Sequence, residues 1–323
     1  MTSTLDRRQL LAGMAGLAVT SMVKASPAMA AAIQWQGPTD GVSDCTPYLN
    51  SVIASLPVVT EIRPTSMEPV AHRILEIPSG RFCFKSTPKP LGKLILKGDH
   101  KLNTALCKQF VGPAFLTLDG THGHGAMLSD LGFWCSAAFT HPAIACGDAI
   151  FLHATASGYA PDETIIQRCW FSSDDGGLWY NAINVNGLAR TGNGVTVPQG
   201  IREVVVEDCE IFNTFAASVV VTNGVGFQMR GGACVPGKYG PLAGCGIVVG
   251  GGGGTRTNST CVTFSGVNNN GFLNLANSSI GSFTGGQIGS LSLDPNSTQH
   301  WKIDTACAAG SSESVGTNQI NLY

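Results

Sequence analysis

The chain has 323 residues, a formal net charge of −2 and only 12% charged residues, about half the usual share for a soluble domain. Without a basic excess there is no electrostatic footprint for nucleic acid or an anionic membrane surface, and neither is expected as a partner. The 41 glycines, together with the lack of long helical periodicity, point to β-structure broken by many turns.

The first element in chain order stands apart. Residues 1–30 place Arg7 and Arg8 before a short apolar run and end in Ala28-Met29-Ala30, the layout of an export signal with a small-residue cleavage site. Arg7-Arg8 followed by Gln9-Leu10-Leu11, with Lys24 near the cleavage site, resembles the twin-arginine class of bacterial signals. The apolar stretch from Leu10 to Val23 is short for a bilayer span. The sequence thus predicts a signal peptide over 1–30, a mature domain over 31–323, a periplasmic or extracellular location and no membrane association after cleavage. All eleven cysteines follow the signal, where disulfides are chemically permitted. No CxxC or Cys/His spacing marks a zinc site, and several cysteines recur at equivalent places in strand-like segments, so they read as small buried apolar residues.

The mature part opens with "TDGVSDCTPYLNSVIASLP", where Pro47 near the start and Pro57 after the end frame a short helix with Tyr48, Val52 and Ile53 on its apolar side. "IPSGRFCF" at Ile77 to Phe84 and "LILKGDH" at Leu94 to His100 come next. A phrase then repeats. "IIQRCWFSS" from Ile165 aligns with "VVVEDCEIFNT" from Val204, setting Ile166 on Val206, Cys169 on Cys209 and Phe171 on Ile211, and "MLSDLGFWC" from Met127 puts Leu128, Leu131 and Phe133 in those slots. Second alternations follow, centred near Ile144, Val185, Val221, Val249 and Leu275. Such intervals suit successive coils of a β-solenoid with variable corner loops. A β-sandwich also has many short strands, but its pattern need not restart on the same cysteine-containing phrase.

The opening phrase is similar to the "GDGxxDDT" phrase plus short helix of pectate-lyase-like right-handed β-helices, a superfamily of tailspike-type proteins and secreted polysaccharide-degrading enzymes. Thr39 and Cys45 depart from that pattern. The resemblance implies an all-β, single-stranded right-handed parallel β-helix in which the N-terminal helix covers the open first coil, and it implies a polysaccharide or glycan as ligand.

Candidate chemistry follows from the register. Gln167 and Glu207 are expected outward on one sheet, Trp170 and Glu210 on the next; one coil further, Arg230 falls beside Glu207 and Ala233 beside Glu210. Trp170, Trp179, Tyr180 and Phe212 supply aromatic faces for sugar rings, with Glu207 and Arg230 as further substrate contacts. Asp174 and Asp175 are the only adjacent pair of aspartates in the chain and sit in a corner, where Asp and Gly are also ordinary turn residues. Hydrolysis of a glycoside needs two carboxyl groups, and the candidates are Asp174, Asp175 and Glu210. Elimination by a lyase needs a base and a cation, for which Lys238, Tyr239, Arg230 and His153 are available without a motif. Gly123-His124-Gly125 looks like the histidine phrase of polygalacturonases but precedes Asp174 instead of following it, and reads as a turn. No phosphate-binding signature follows Gly250 to Gly254. No cofactor is expected; calcium is compatible with the superfamily, but no motif for it is present. A non-catalytic glycan-binding or surface β-helix is the alternative to an enzyme, and the sequence does not specify the oligomeric state.

Overall fold

A computed structural model describes residues 32–56, 73–92, 94–119, 125–136, 147–154, 161–174, 177–192, 195–239, 242–250, 259–276, 278–293, 298–304 and 321–322. Short strands with alternating inward apolar residues cannot bury that side alone, and here each lies on the equivalent strand of the next coil. Every pairing among the described strands is parallel except one hairpin, Leu188–Gly192 with Val195–Gln199. The chain winds as a single-stranded right-handed parallel β-helix.

Three sheets run along its axis. Sheet one stacks Arg73–Ile77, Leu94–Gly98, Met127–Ser129, Ile165–Gln167, Val205–Glu207 and Gln228–Arg230. Sheet two stacks Gly80–Phe84, Thr104–Lys108, Gly132–Ser136, Trp170–Asp174, Glu210–Ile211 and Ala233–Cys234. Sheet three stacks Ala114–Asp119, Asp148–His153, Trp179–Asn186, Thr214–Thr222 and Cys245–Val249. The long strands Ser259–Leu275 and Ser278–Leu293 then run through all three sheets as two further coils.

The expected register is met. Ile166 lies on Val206, Trp170 on Glu210, Phe171 on Ile211, Val206 on Met229, Glu207 on Arg230 and Glu210 on Ala233. Leu118, Leu152, Val185, Val221, Val249 and Leu275 form one inward column of sheet three. The strand beneath Val185 is therefore Asp148–His153; Ile144, expected as its centre, lies outside the described residues, as do residues 1–30. All nine described cysteines are free thiols and only Cys261 is exposed. Cys169 stacks against Cys209 in the core, as small buried side chains would.

The corner between sheets one and two recurs with one conformation. Asp130, Arg168 and Asp208 have φ of 59°, 49° and 50°, a left-handed conformation that Asp tolerates better than most residues; one coil on, Gly231 takes the same place at 63°. Arg168 adds a bidentate ion pair across this corner, its Nε and Nη2 donating to Asp130 Oδ1 and Oδ2 at 2.7 and 2.8 Å.

The helix α1 (Thr46–Ala54) covers the first coil, as expected, burying Leu49 and Val52, while Tyr48 and Ile53 are half-buried against the core. Asp44 supports its start, Oδ1 accepting from the Thr46 and Lys85 N–H groups. Trp35 meets Tyr48 and Phe82 edge-on at 4.6 and 5.1 Å, joining helix to solenoid.

Candidate functional site

The outer face of sheet two carries the largest gathering of expected site residues. One outward column reads Arg81, Ala105, Gly132, Trp170, Glu210 and Ala233. The neighbouring column includes Trp134 and Ser172, with Phe212 following the Glu210–Ile211 strand. Trp170 and Phe212 pack with centroids 4.8 Å apart and planes tilted by 37°. Gly132 is required by close approach, since a Cβ there would sit 2.6 Å from the Lys101 carbonyl and 2.9 Å from Trp134 Nε1. Its absence lets the indole and the turn around Lys101 lie against the sheet. Neither the Trp134 nor the Trp170 indole N–H bonds within the protein.

Long cations from early coils reach carboxylates on later ones. Arg81 pairs with Asp174 through its guanidinium, and Lys101 Nζ donates to Glu210 Oε1 at 2.6 Å. Arg81 also contacts the Cys83 thiol, and burial pushes its in-register neighbour Cys107 up to about 12. Trp134, Arg81 and Lys101 were not expected. The first two were readable, because period-2 alternation around Phe133 and Phe82 sends both outward; Lys101 lies in a turn, and nothing local ties it to Glu210.

The other expected residues are dispersed. Trp179 does not face a ligand: it is fully buried, stacks 6.2 Å from Phe115 and donates its indole N–H to the Ser172 carbonyl at 2.8 Å. Adjacent strand residues point to opposite sides, so Trp179 and Tyr180 cannot both be outward, and Tyr180 is the exposed one. Glu207 and Arg230 are in register on sheet one, around the corner from Glu210. Among the described residues no ion pair joins them; Arg230 Nη2 donates to Gln228 Oε1 at 2.5 Å instead. Asp175 and His124 lie outside the described residues.

Where sheet two turns into sheet three, Tyr180, Phe215 and Tyr239 form a ladder, one ring per coil, with centroids 5.9 and 5.6 Å apart. Beside Tyr180 is a buried polar cluster. Asp148 Oδ1 accepts from the Asn181 backbone N–H and Nδ2 at 3.1 and 2.9 Å, and Oδ2 accepts from Asn184 Nδ2 at 2.7 Å. Burial pushes the Asp148 carboxyl above the usual carboxylate range, against these hydrogen bonds and the attraction of Lys108. The folded protein therefore holds this proton more tightly than the unfolded chain. Its contribution to stability is fullest in acid and is lost as pH rises from the usual Asp value through the raised one. Asp148→Asn is expected to remove that slope. Urea midpoints of both proteins between about pH 3 and pH 8 test this, and parallel curves would refute it.

Among the described residues no group of three or more His, Cys, Asp or Glu side chains could hold a metal ion, and no helix is long and apolar enough to cross a membrane.

No protein-family model and no curated protein matches the chain. Among solved structures it is similar to a pectin methylesterase in complex with hexasaccharide VII (10% identity, 92% of this chain and 94% of that one, TM-score 0.42). It is also similar to the PL6 family alginate lyase AlyGC (13% identity, 94% and 42%, TM-score 0.41) and to pectin methylesterase from carrot (11% identity, 79% and 66%, TM-score 0.34). Likeness at this level transfers no residue role, and the fold description rests on the strand register.

Proposed function

We propose that the protein is an exported, polysaccharide-active β-helix that takes a glycan chain on the outer face of sheet two and cleaves it. Residues 1–30 serve as the removable export signal and 31–323 as the β-helix domain. The observation that carries the reading is the placement of Trp170 on Glu210 in register, packed on Phe212 and flanked by the Arg81–Asp174 and Lys101–Glu210 pairs. Sugars have apolar C–H faces and polar edges. Trp170 and Phe212 suit the faces, while the four charged groups suit hydroxyls or, for Arg81 and Lys101, the carboxylate of an acidic sugar. In hydrolysis one of Asp174 and Glu210 protonates the leaving oxygen and the other acts as base or nucleophile. The ion pairs then orient the carboxylates and exchange partners with the incoming sugar.

A specific observation favours a second reading, glycan binding without cleavage: both carboxylates already have a cation as partner. One experiment separates the two. The purified protein is incubated with a panel of neutral and acidic polysaccharides. New reducing ends report hydrolysis, and ultraviolet-absorbing unsaturated ends report elimination. Binding to the same polymers with neither product leaves the binding-only reading; absence of both binding and products overturns glycan function altogether.

A further inference from the structure

The Tyr180–Phe215–Tyr239 ladder is not used by the face just described, yet it lies around the next corner from it. Phe212 ends sheet two, Asn213 turns the chain with φ of 55°, and Phe215 follows on sheet three. The two tyrosines are 41% and 46% exposed, high for rings that have apolar neighbours available. Ring planes in close face-to-face contact sit about 3.5–4 Å apart; here the centroids are 5.9 and 5.6 Å apart and the planes are inclined by 19° and 35°, so the rings do not cover one another fully and part of each face stays open. The ladder advances with the coils, about 4.8 Å per step, close to the length of one hexose in an extended glycan. A polar rim lies alongside: Lys238 Nζ donates to Asn213 Oδ1 at 3.3 Å, and Asn213 Nδ2 reaches Ser172 Oγ at 3.5 Å. Ser172 belongs to the sheet-two strand that carries Trp170, so the rim is continuous with the first face. The ladder is held by the backbone, since the Lys238 and Tyr239 N–H groups donate to the Thr214 and Phe215 carbonyls at 3.1 and 2.8 Å.

We infer that Tyr180, Phe215 and Tyr239 form a second glycan contact surface, which holds a polysaccharide chain running parallel to the solenoid axis with successive sugars against successive rings. The inference rests on the reading of the protein as glycan-active and adds a direction and a length requirement. A polymer engages several rings at once; a mono- or disaccharide does not. Lys238 at the rim adds preference for acidic chains.

The test is native affinity electrophoresis in gels cast with alginate, polygalacturonate or hydroxyethyl cellulose. The proteins compared are wild type, Tyr180→Ala/Tyr239→Ala, Tyr180→Phe/Tyr239→Phe and Tyr239→Ala, each checked for an unchanged thermal transition. The double alanine variant is expected to lose affinity about tenfold or more for the polymer that retards wild type, the phenylalanine variant to keep most of it, and Tyr239→Ala to fall between. Retardation of the double alanine variant equal to wild type overturns the ladder surface and leaves the sheet-two reading standing. If no polymer retards wild type, the glycan reading fails and the ladder with it. Should the double variant not fold, Tyr239→Ala alone decides, because its ring lies at the exposed end of the ladder.

Discussion

Trp179→Ala is expected to lower folding stability by about 3–5 kcal/mol, with glycan binding unchanged at temperatures where the variant is folded. The ring is fully buried at the start of sheet three, stacked on Phe115 from two coils earlier. Truncation leaves a cavity that close-packed coils fill only in part, and it strips the Ser172 carbonyl of the indole N–H that satisfies it. Trp179→Phe keeps much of the volume and loses the hydrogen bond, so an intermediate loss is expected. Chemical denaturation gives the comparison. A loss below about 1 kcal/mol, together with impaired binding, would put the ring at a ligand surface after all.

Glu210→Gln and Asp174→Asn are each expected to cut turnover about 10²–10⁴-fold, the usual contribution of a positioned acid or base, on whichever polysaccharide the panel identifies. Folding should hardly change. Arg81 and Asp174 side chains are 44% and 28% exposed, and Lys101 and Glu210 are 21% and 36% exposed, so each pair belongs to the surface class worth about 0–1 kcal/mol. The two readouts, initial rate by reducing ends and unfolding midpoint, therefore separate chemistry from scaffolding. Full activity in both variants would remove these carboxylates from the reaction. A fall in activity that tracks a fall in stability would assign them to structure.

The winding was legible because it is written in period and restart. Cys169 and Cys209 mark the same slot, and aligning them fixes Ile166 on Val206 and Trp170 on Glu210 without further assumption. The same alignment carried outward gives Arg230 beside Glu207 and Ala233 beside Glu210. Trp179 was grouped with Tyr180 by residue type and not by register; alternation carried back from Val185 through Ile183 and Asn181 puts Trp179 on the inward side. What the sequence hides most completely are contacts that skip coils. Arg81 and Asp174 are far apart in the chain, as are Lys101 and Glu210. Such pairs depend on how far a long side chain reaches over the coils between, and no repeat pattern announces that. The ladder was half visible: Tyr180 was singled out as a sugar contact and Tyr239 as a candidate for elimination chemistry, but the two become partners through Phe215 only when "WY", "TF" and "KY" are set one above another.

In-register stacking of each coil's strands on the next has an evolutionary consequence. Adding or deleting one complete turn, from one left-handed corner residue such as Arg168 to its successor Asp208, presents the same interior cross-section to the turns on either side. Gene duplication of such a module lengthens the outer surface by one increment with no redesign inside, so the length of the solenoid can drift while the backbone plan stays fixed.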